Sequence, residues 1–514
     1  MSMNETLNEK SYSSDISMDM NREFVWQNFL RIRWENSPVY GAANSGEVVI
    51  EPVNFDMLNY LFMRTGTYLI LFGGVWSKET QNVIDQVNFY ARKYGVERVY
   101  LFDFSADGTA EATIKQDITA HEYYVGPGKK EANPFAVYNY LYGEMVTRHL
   151  TNLNSWVCKK IGSGEDITYL NLYRDPVTVP NLTEPFLFLY NKDNTVDNAD
   201  SGIEADTYPI VWAAELEEDK EGQVDKFFSR IGENNCAVTP YSQADYIREA
   251  FAQNGRGHSF KTEDAFREDE QINLEAVSFQ VYYWLLQQKG TFLFLLAGPW
   301  CANSQAAVAT VNDYAVANQV RVYMTDSRLD SKHAIDFWQY PRRNELTMTC
   351  PPMRKYFVEI WEDDLPGACV VCFTSRRGRS VQPTLSYQDE TGQDHTVLRV
   401  GIPYCFAYDR DHCDANGAAP VLASFQNEAI ELINISDKFV YHDPLYRELK
   451  AASYKVFYAY QADLGKKMTD ITIDRTAPIV EGEMPKHVET VAYYKAHDWY
   501  QEPEDPEAVH LCTI

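Results

Sequence analysis

The sequence predicts an α/β protein built twice over from one ancestral unit. Residues 53–91 align without a gap on residues 277–315 at a constant offset of 224, and 14 of those 39 positions are identical. In each copy an apolar run of strand length, 68–72 or 292–296, follows a short helix-period segment. A second helix-period segment follows the run at once. Self-similarity of this extent reports an internal duplication, and strand followed by helix followed by strand favours a parallel pair with a crossover helix.

The elements are justified in chain order. Residues 54–63 and 278–288 read as helices, each ending near a glycine, Gly66 or Gly290, suited to a left-handed C-terminal position. The runs Tyr68-Leu-Ile-Leu-Phe72 and Phe292-Leu-Phe-Leu-Leu296 are apolar on both faces, as in a central strand. A glycine-containing bend carrying Trp76 or Trp300 comes next. The helix after it places Val83, Ile84, Val87, Tyr90 and Ala91, or Ala307, Val308, Val311, Tyr314 and Ala315, on one stripe. One skipped residue brings Arg98-Val99-Tyr100 onto Arg321-Val322-Tyr323, and Asp103 onto Asp326. Each half then has a strand introduced by proline, 185–190 or 403–408, a polar turn, a further strand at 209–212 or 419–423, and a closing helix near 223–231 or 446–461. An extra strand run, 368–373, precedes these in the second copy.

The divisions expected are an N-terminal extension (1–50), a first domain (51–233), a connector with one short helix (234–272), a second domain (273–470) and a C-terminal extension (471–514). Insertions at 105–133 and 330–354 interrupt the two copies.

The chain has 514 residues, 45% of them hydrophobic, enough for real cores. Its formal net charge is −28, from 74 acidic against 46 basic residues. That surface repels phosphate backbones and anionic lipid, so neither nucleic acid nor membrane is an expected partner, whereas a basic protein is compatible. No apolar stretch of spanning length appears, and residues 1–21 are too polar for a secretory signal. Nine thinly spread cysteines do not form a disulfide framework. The reading is a soluble protein of the reducing cytoplasm.

Gly298-Pro-Trp-Cys301-Ala-Asn-Ser304 follows a buried strand and opens a helix, and Ile402-Pro403 stands about a hundred residues later before a strand and hairpin. These segments resemble the thioredoxin superfamily, with its Trp-Cys-x-x-Cys turn facing a cis-proline. The resemblance implies two tandem thioredoxin-like domains, each a central mixed sheet flanked by helices, with insertions. Cys301 would be the nucleophile, Trp300 and the cis Ile402–Pro403 segment the substrate platform, and Ser304 a hydrogen-bond donor to the thiolate. A helix N-terminus favours a thiolate through its free amide donors and dipole.

Two departures matter. Ser304 replaces the second motif cysteine, which leaves monothiol chemistry, and Leu295 stands where the family has a buried acid. Such a thiol has to be reachable and has to titrate below a free cysteine. The first copy, Gly74-Val-Trp76-Ser77-Lys-Glu-Thr80 with Pro185, has hydroxyls at both motif positions and reads as degenerate.

Cys405, two residues beyond Pro403, is a possible resolving thiol, with packing as the plainer reading. Cys369-Val-Val-Cys372 lies in a strand-like run whose positions three apart face opposite ways, so core packing is expected. The turn 409–414 mixes hard and soft ligand types and reads as an acidic solvated turn; no metal and no cofactor is expected. The function expected is a monothiol disulfide oxidoreductase or isomerase acting on protein or small thiol and disulfide substrates. The alternative is a non-catalytic binding or scaffold protein.

Overall fold

A computed structural model of the chain describes residues 11–31, 40–104, 122–126, 129–132, 138–153, 166–170, 175–200, 202–214, 216, 220–233, 238–252, 265–266, 268–299, 301–326, 373–374, 380–381, 384–388, 394–398, 402–415, 417–426 and 443–471. The expected sites at Trp300, Cys369 and Cys372, the insertion 330–354 and the extension beyond 471 lie outside them.

The N-terminal segment holds β1 (Tyr12–Ser13) and α1 (Met20–Val25), which continues into a wider π turn, Trp26–Leu30. The first half runs β2 (Ile50–Pro52), α2 (Phe55–Met63), β3 (Tyr68–Phe72), α3 (Lys78–Gln81), α4 (Ile84–Lys93) and β4 (Val99–Phe102). A hairpin β5–β6 (Glu122–Gly126, Lys129–Ala132), α5 (Tyr138–His149) and a hairpin β7–β8 (Ile167–Leu170, Pro176–Val179) come next. The half closes with β9 (Phe186–Tyr190), β10 (Ile210–Ala213) and α6 (Lys220–Glu233). α7 (Gln243–Ala250) is the short connector helix, started by a capping box between Ser242 and Asp245.

The second half runs β11 (Leu274–Ala276), α8 (Phe279–Leu286), β12 (Gly290–Leu296), α9 (Ala302–Ala317) and β13 (Val322–Thr325). Short hairpins β14–β15 (Phe373–Thr374, Ser380–Val381) and β16–β17 (Thr384–Gln388, Asp394–Leu398) precede β18 (Tyr404–Asp409). A small ladder β19–β20 (Cys413–Asp414, Gly417–Ala418), β21 (Val421–Gln426) and α10 (Asp443–Asp463) complete it.

The halves build sheets of the same order. In the first, β10-β9-β3-β4-β2 lie side by side, and in the second β21-β18-β12-β13-β11. The β2–β4 and β3–β4 pairs are parallel and β3–β9 and β9–β10 antiparallel, and the second sheet repeats that pattern pair by pair. The molecule is thus mixed α/β, with mixed sheets flanked by helices. The central strands β3 and β12 are buried along their whole length, which explains their unbroken apolar sequence.

Alternate residues feed two cores. Leu293 and Leu295 pack with Val308, Val311 and Tyr314 of α9 and with Phe457 of α10, while Phe292, Phe294 and Leu296 face Val281, Tyr282 and Leu285 of α8. Full burial of each such side chain is worth about 1.5–3 kcal/mol.

One identity of the repeat is explained by matching bonds. Asn88 Oδ1 accepts from Val49 N–H (2.9 Å), and Asn312 Oδ1 accepts from Asn273 N–H (2.8 Å). Their amides donate to Glu47 O (3.1 Å) and Gln271 O (2.8 Å), so one buried asparagine in each helix fixes the entry of the edge strand. Asn54 and Ser278 cap α2 and α8.

Two expectations are corrected. Gly66 and Gly290 do not cap the preceding helices: α2 ends at Met63, with Arg64 as its C-cap in extended backbone, and Gly290 is the first residue of β12. Both hold positive φ, +141° and +126°. A Cβ on Gly290 would lie 1.9 Å from Tyr12 O, because β1 pairs there in parallel register, Tyr12 opposite Gly290.

Within the N-terminal stretch, residues 12–13 add a strand to the second sheet. β1 enters between β12 and the start of β13, with Arg321 N–H donating to Ser14 O (2.7 Å) and Leu293 N–H to Ser14 Oγ (2.8 Å). Tyr12 and Phe24 then pack on Trp284 of the second half.

Candidate functional site

The two turns after β3 and β12 are built alike. Ser77 and Cys301 are the N-cap residues of the helices that follow, both in extended backbone (φ −84°, ψ 116° and φ −97°, ψ 122°). Their N–H groups donate to Gly74 O (3.1 Å) and Gly298 O (3.0 Å), which closes each turn. The repeated glutamine is a latch: Gln305 Nε2 donates to Pro299 O (2.5 Å), and Gln81 Nε2 donates to Val75 O. Opposite the turns, Glu184–Pro185 and Ile402–Pro403 are both cis peptide bonds.

The side chains differ where chemistry would occur. Ser77 is buried, and its Oγ accepts from Thr80 N–H (3.1 Å), which satisfies one of the free amides of a helix start. Cys301 makes no such cap bond. Its Sγ lies 3.7 Å from Ile402 O, the carbonyl of the cis bond, and it heads a helix of 16 residues. The residue is 2% exposed, so the thiol is covered in this conformation.

Ser304 is fully buried, and its Oγ accepts from Gly298 N–H (3.3 Å). This accepted bond holds the turn and leaves the hydroxyl proton of Ser304 available to donate. Ile402 and Pro403 are buried beside the thiol. In the first copy Trp76 Nε1 donates to Asp103 Oδ1 (2.9 Å), Thr80 is buried and Pro185 is half-buried. A cleft beside that turn is lined by Gly74 and Asp103 together with Phe24, Phe29, Ser278 and Gln280, so the N-terminal segment and the second half close over it.

Cys405 does not join Cys301. On β18, Tyr404, Phe406 and Tyr408 share the core that contains Cys301, whereas Cys405 and Ala407 point to the other face with Leu293 and Leu295. The central sheet stands between the two sulfurs, because strand neighbours alternate faces. Burial pushes the Cys405 thiol well above its ordinary range. Both features make it a core residue and leave it without reach to a disulfide on Cys301.

Cys413 is exposed in the polar turn after β18. Among the described residues, no group of three His, Cys, Asp or Glu side chains stands close enough to hold a metal, and no helix is long and apolar enough to cross a membrane. No protein-family model and no curated protein matches the sequence.

Proposed function

We propose that the two halves are tandem thioredoxin-like domains, 51–233 and 273–470, and that the second acts as a monothiol disulfide oxidoreductase or isomerase through Cys301. One observation carries the reading. Cys301 occupies a helix N-cap where its counterpart Ser77 forms the capping bond, and it forgoes that bond while its sulfur faces the carbonyl of a cis X–Pro bond. A cap of the Ser type is worth about 1 kcal/mol, so a cysteine here is a costly choice for the fold and a favourable one for a thiolate.

In the step proposed, the Cys301 thiolate attacks one sulfur of a disulfide. A Cys301–sulfur bond forms, the old S–S bond breaks, and the second sulfur leaves as a thiolate. With Ser304 in the second motif position and Cys405 across the sheet, an external thiol resolves the mixed disulfide. Localisation to the reducing cytoplasm belongs to the same reading.

The burial of Cys301 favours a second reading, a tandem thioredoxin-like scaffold that binds a partner, for which the net charge of −28 suits a basic protein. Alkylation followed residue by residue with pH separates the two, with Cys301→Ser as the control. Labelling of Cys301 in the native protein with an apparent pKa below about 8.5 supports thiol exchange. Labelling only on unfolding removes it and leaves the scaffold.

A further inference from the structure

The segment that leads into each half bonds to the sheet of the other. In the second sheet, Tyr12 N–H donates to Lys289 O (2.9 Å) and Ser14 N–H to Thr291 O (3.2 Å), while Ser14 Oγ accepts from Leu293 N–H (2.8 Å). In the first sheet, the residues that lead into α7 take the same place. Thr239 N–H donates to Thr67 O (2.7 Å), and Thr239 Oγ1 accepts from Thr67 N–H (3.0 Å). Thr67 and Thr291 are one position of the repeat, so Ser14 and Thr239 bind the same carbonyl in the two sheets. The glycine before it leaves room for the insert in both. A Cβ on Gly66 would lie 2.7 Å from Thr239 Oγ1, as one on Gly290 would strike Tyr12 O.

The matched arginines grip both inserts. Arg98 Nη1 donates to Tyr241 O (2.8 Å), and Arg321 Nη2 donates to Ile16 O (3.0 Å). Each arginine is held by a buried glutamate of the edge strand, 224 residues apart: Glu51 Oε2 lies 3.1 Å from Arg98 Nη1, and Glu275 Oε2 lies 2.5 Å from Arg321 Nη1. The helices that follow the inserts are copies as well. Residues 19–28 align on 245–254 at an offset of 226, with Asp19/Asp245, Arg22/Arg248, Glu23/Glu249, Gln27/Gln253 and Asn28/Asn254 identical. Arg22 pairs with Asp19 (3.3 Å) and Arg248 with Asp245 (3.8 Å). Glu23 accepts from Tyr12 OH (2.9 Å) and Glu249 from Tyr241 OH (2.8 Å), so each glutamate ties its helix to its own insert. Both helices then set a ring on one repeat position of the other half, Phe24 on Trp284 (5.6 Å between centroids) and Tyr246 on Tyr60 (5.5 Å).

We infer that each sheet carries a strand-acceptor wedge whose ligand is an extended segment bearing a Ser or Thr, and that each half supplies the ligand of the other. Strand addition of this kind draws its affinity from main-chain bonds, here reinforced by a side-chain hydroxyl that accepts from the strand. The contacts come in matched pairs, so the exchange is reciprocal, the arrangement by which two copies of a unit dimerise, here within one chain. Unfolding of either half withdraws an insert from the sheet of the other, and the two halves therefore open in one transition.

The test is urea unfolding of the full chain, read in each half by pulsed hydrogen exchange of the peptides that contain β3 and β12. In the wild type both peptides are expected to open at the same urea concentration. Ser14→Ala deprives Leu293 N–H of its acceptor, and Thr239→Val does the same to Thr67 N–H. Each variant is expected to raise the unfolding equilibrium constant about tenfold, at both strands alike. Separate midpoints for β3 and β12 in the wild type, or a variant that shifts one strand alone or neither, overturn the inference. Should a variant fail to fold, the wild-type comparison decides by itself: one shared midpoint supports the exchange and two midpoints refute it.

Discussion

Replacing Cys301 with serine separates a thiol kept for chemistry from one kept for packing. A serine at 301 gains the bond that Ser77 makes in the first copy, its Oγ accepting from the amide three residues on. That gain is about 1 kcal/mol and at most about 2. Against it stands the loss of one buried sulfur, on the scale of a methylene at about 0.8 kcal/mol. The balance predicts a variant as stable as the wild type or more stable by up to about 1 kcal/mol, a Tm unchanged or raised by up to about 4 °C. Thermal unfolding followed by circular dichroism, checked by urea titration, reads this directly. A Tm lowered by more than about 4 °C, equivalent to at least 1 kcal/mol for a unit of this size, refutes the reasoning. It would make Cys301 a packing residue and withdraw the argument that it stands at the cap at the expense of the fold.

The other copies of the same features give sharper controls. Ser77→Ala removes the acceptor for Thr80 N–H and should destabilise by about 1 kcal/mol in urea unfolding; no change would show that the first turn is held by the Gln81 latch alone. Gly290→Ala places a Cβ 1.9 Å from Tyr12 O at φ +126°, with strain of about 1–3 kcal/mol, so β1 should leave the sheet. Limited proteolysis should then cut within residues 11–31 faster than in the wild type, and an unchanged rate would contradict the pairing of β1 with β12.

Much of this was legible along the chain because it depends on neighbours in sequence. The repeat at offset 224 predicted that whatever one half builds the other builds too, and the sheets carry the same strand order. The unbroken apolar runs of β3 and β12 announced central strands, and Asn54, Ser278 and Cys301 stood where helices begin. Even the Glu–Arg pairs left a trace: Glu51 and Glu275 lie two residues before the aligned stretch at the same offset, beside the matched Arg98 and Arg321. Extending the alignment by those two residues would have found them.

Other features had no local signal. Residues 11–31 carry no repeat at offset 224, yet β1 pairs with a strand almost 280 residues away, because β12 and β13 diverge and leave backbone groups that a third strand satisfies. The glycines read as helix caps instead meet conformational and steric requirements, Gly290 at the first residue of β12 and Gly66 in the turn before β3. Cys405 seemed near Cys301 in motif terms, but a strand turns each successive side chain to the opposite face, and the core on either side is fixed only once both sheets have packed. The sequence by itself determined the duplicated α/β units, their strands and their helix starts, because propensity, patterning and capping act over a few residues. Only the tertiary structure decided that the N-terminal segment joins the two sheets, that Cys301 is covered, and that two glutamates are buried beside Arg98 and Arg321, because burial and pairing depend on parts of the chain that are distant in sequence.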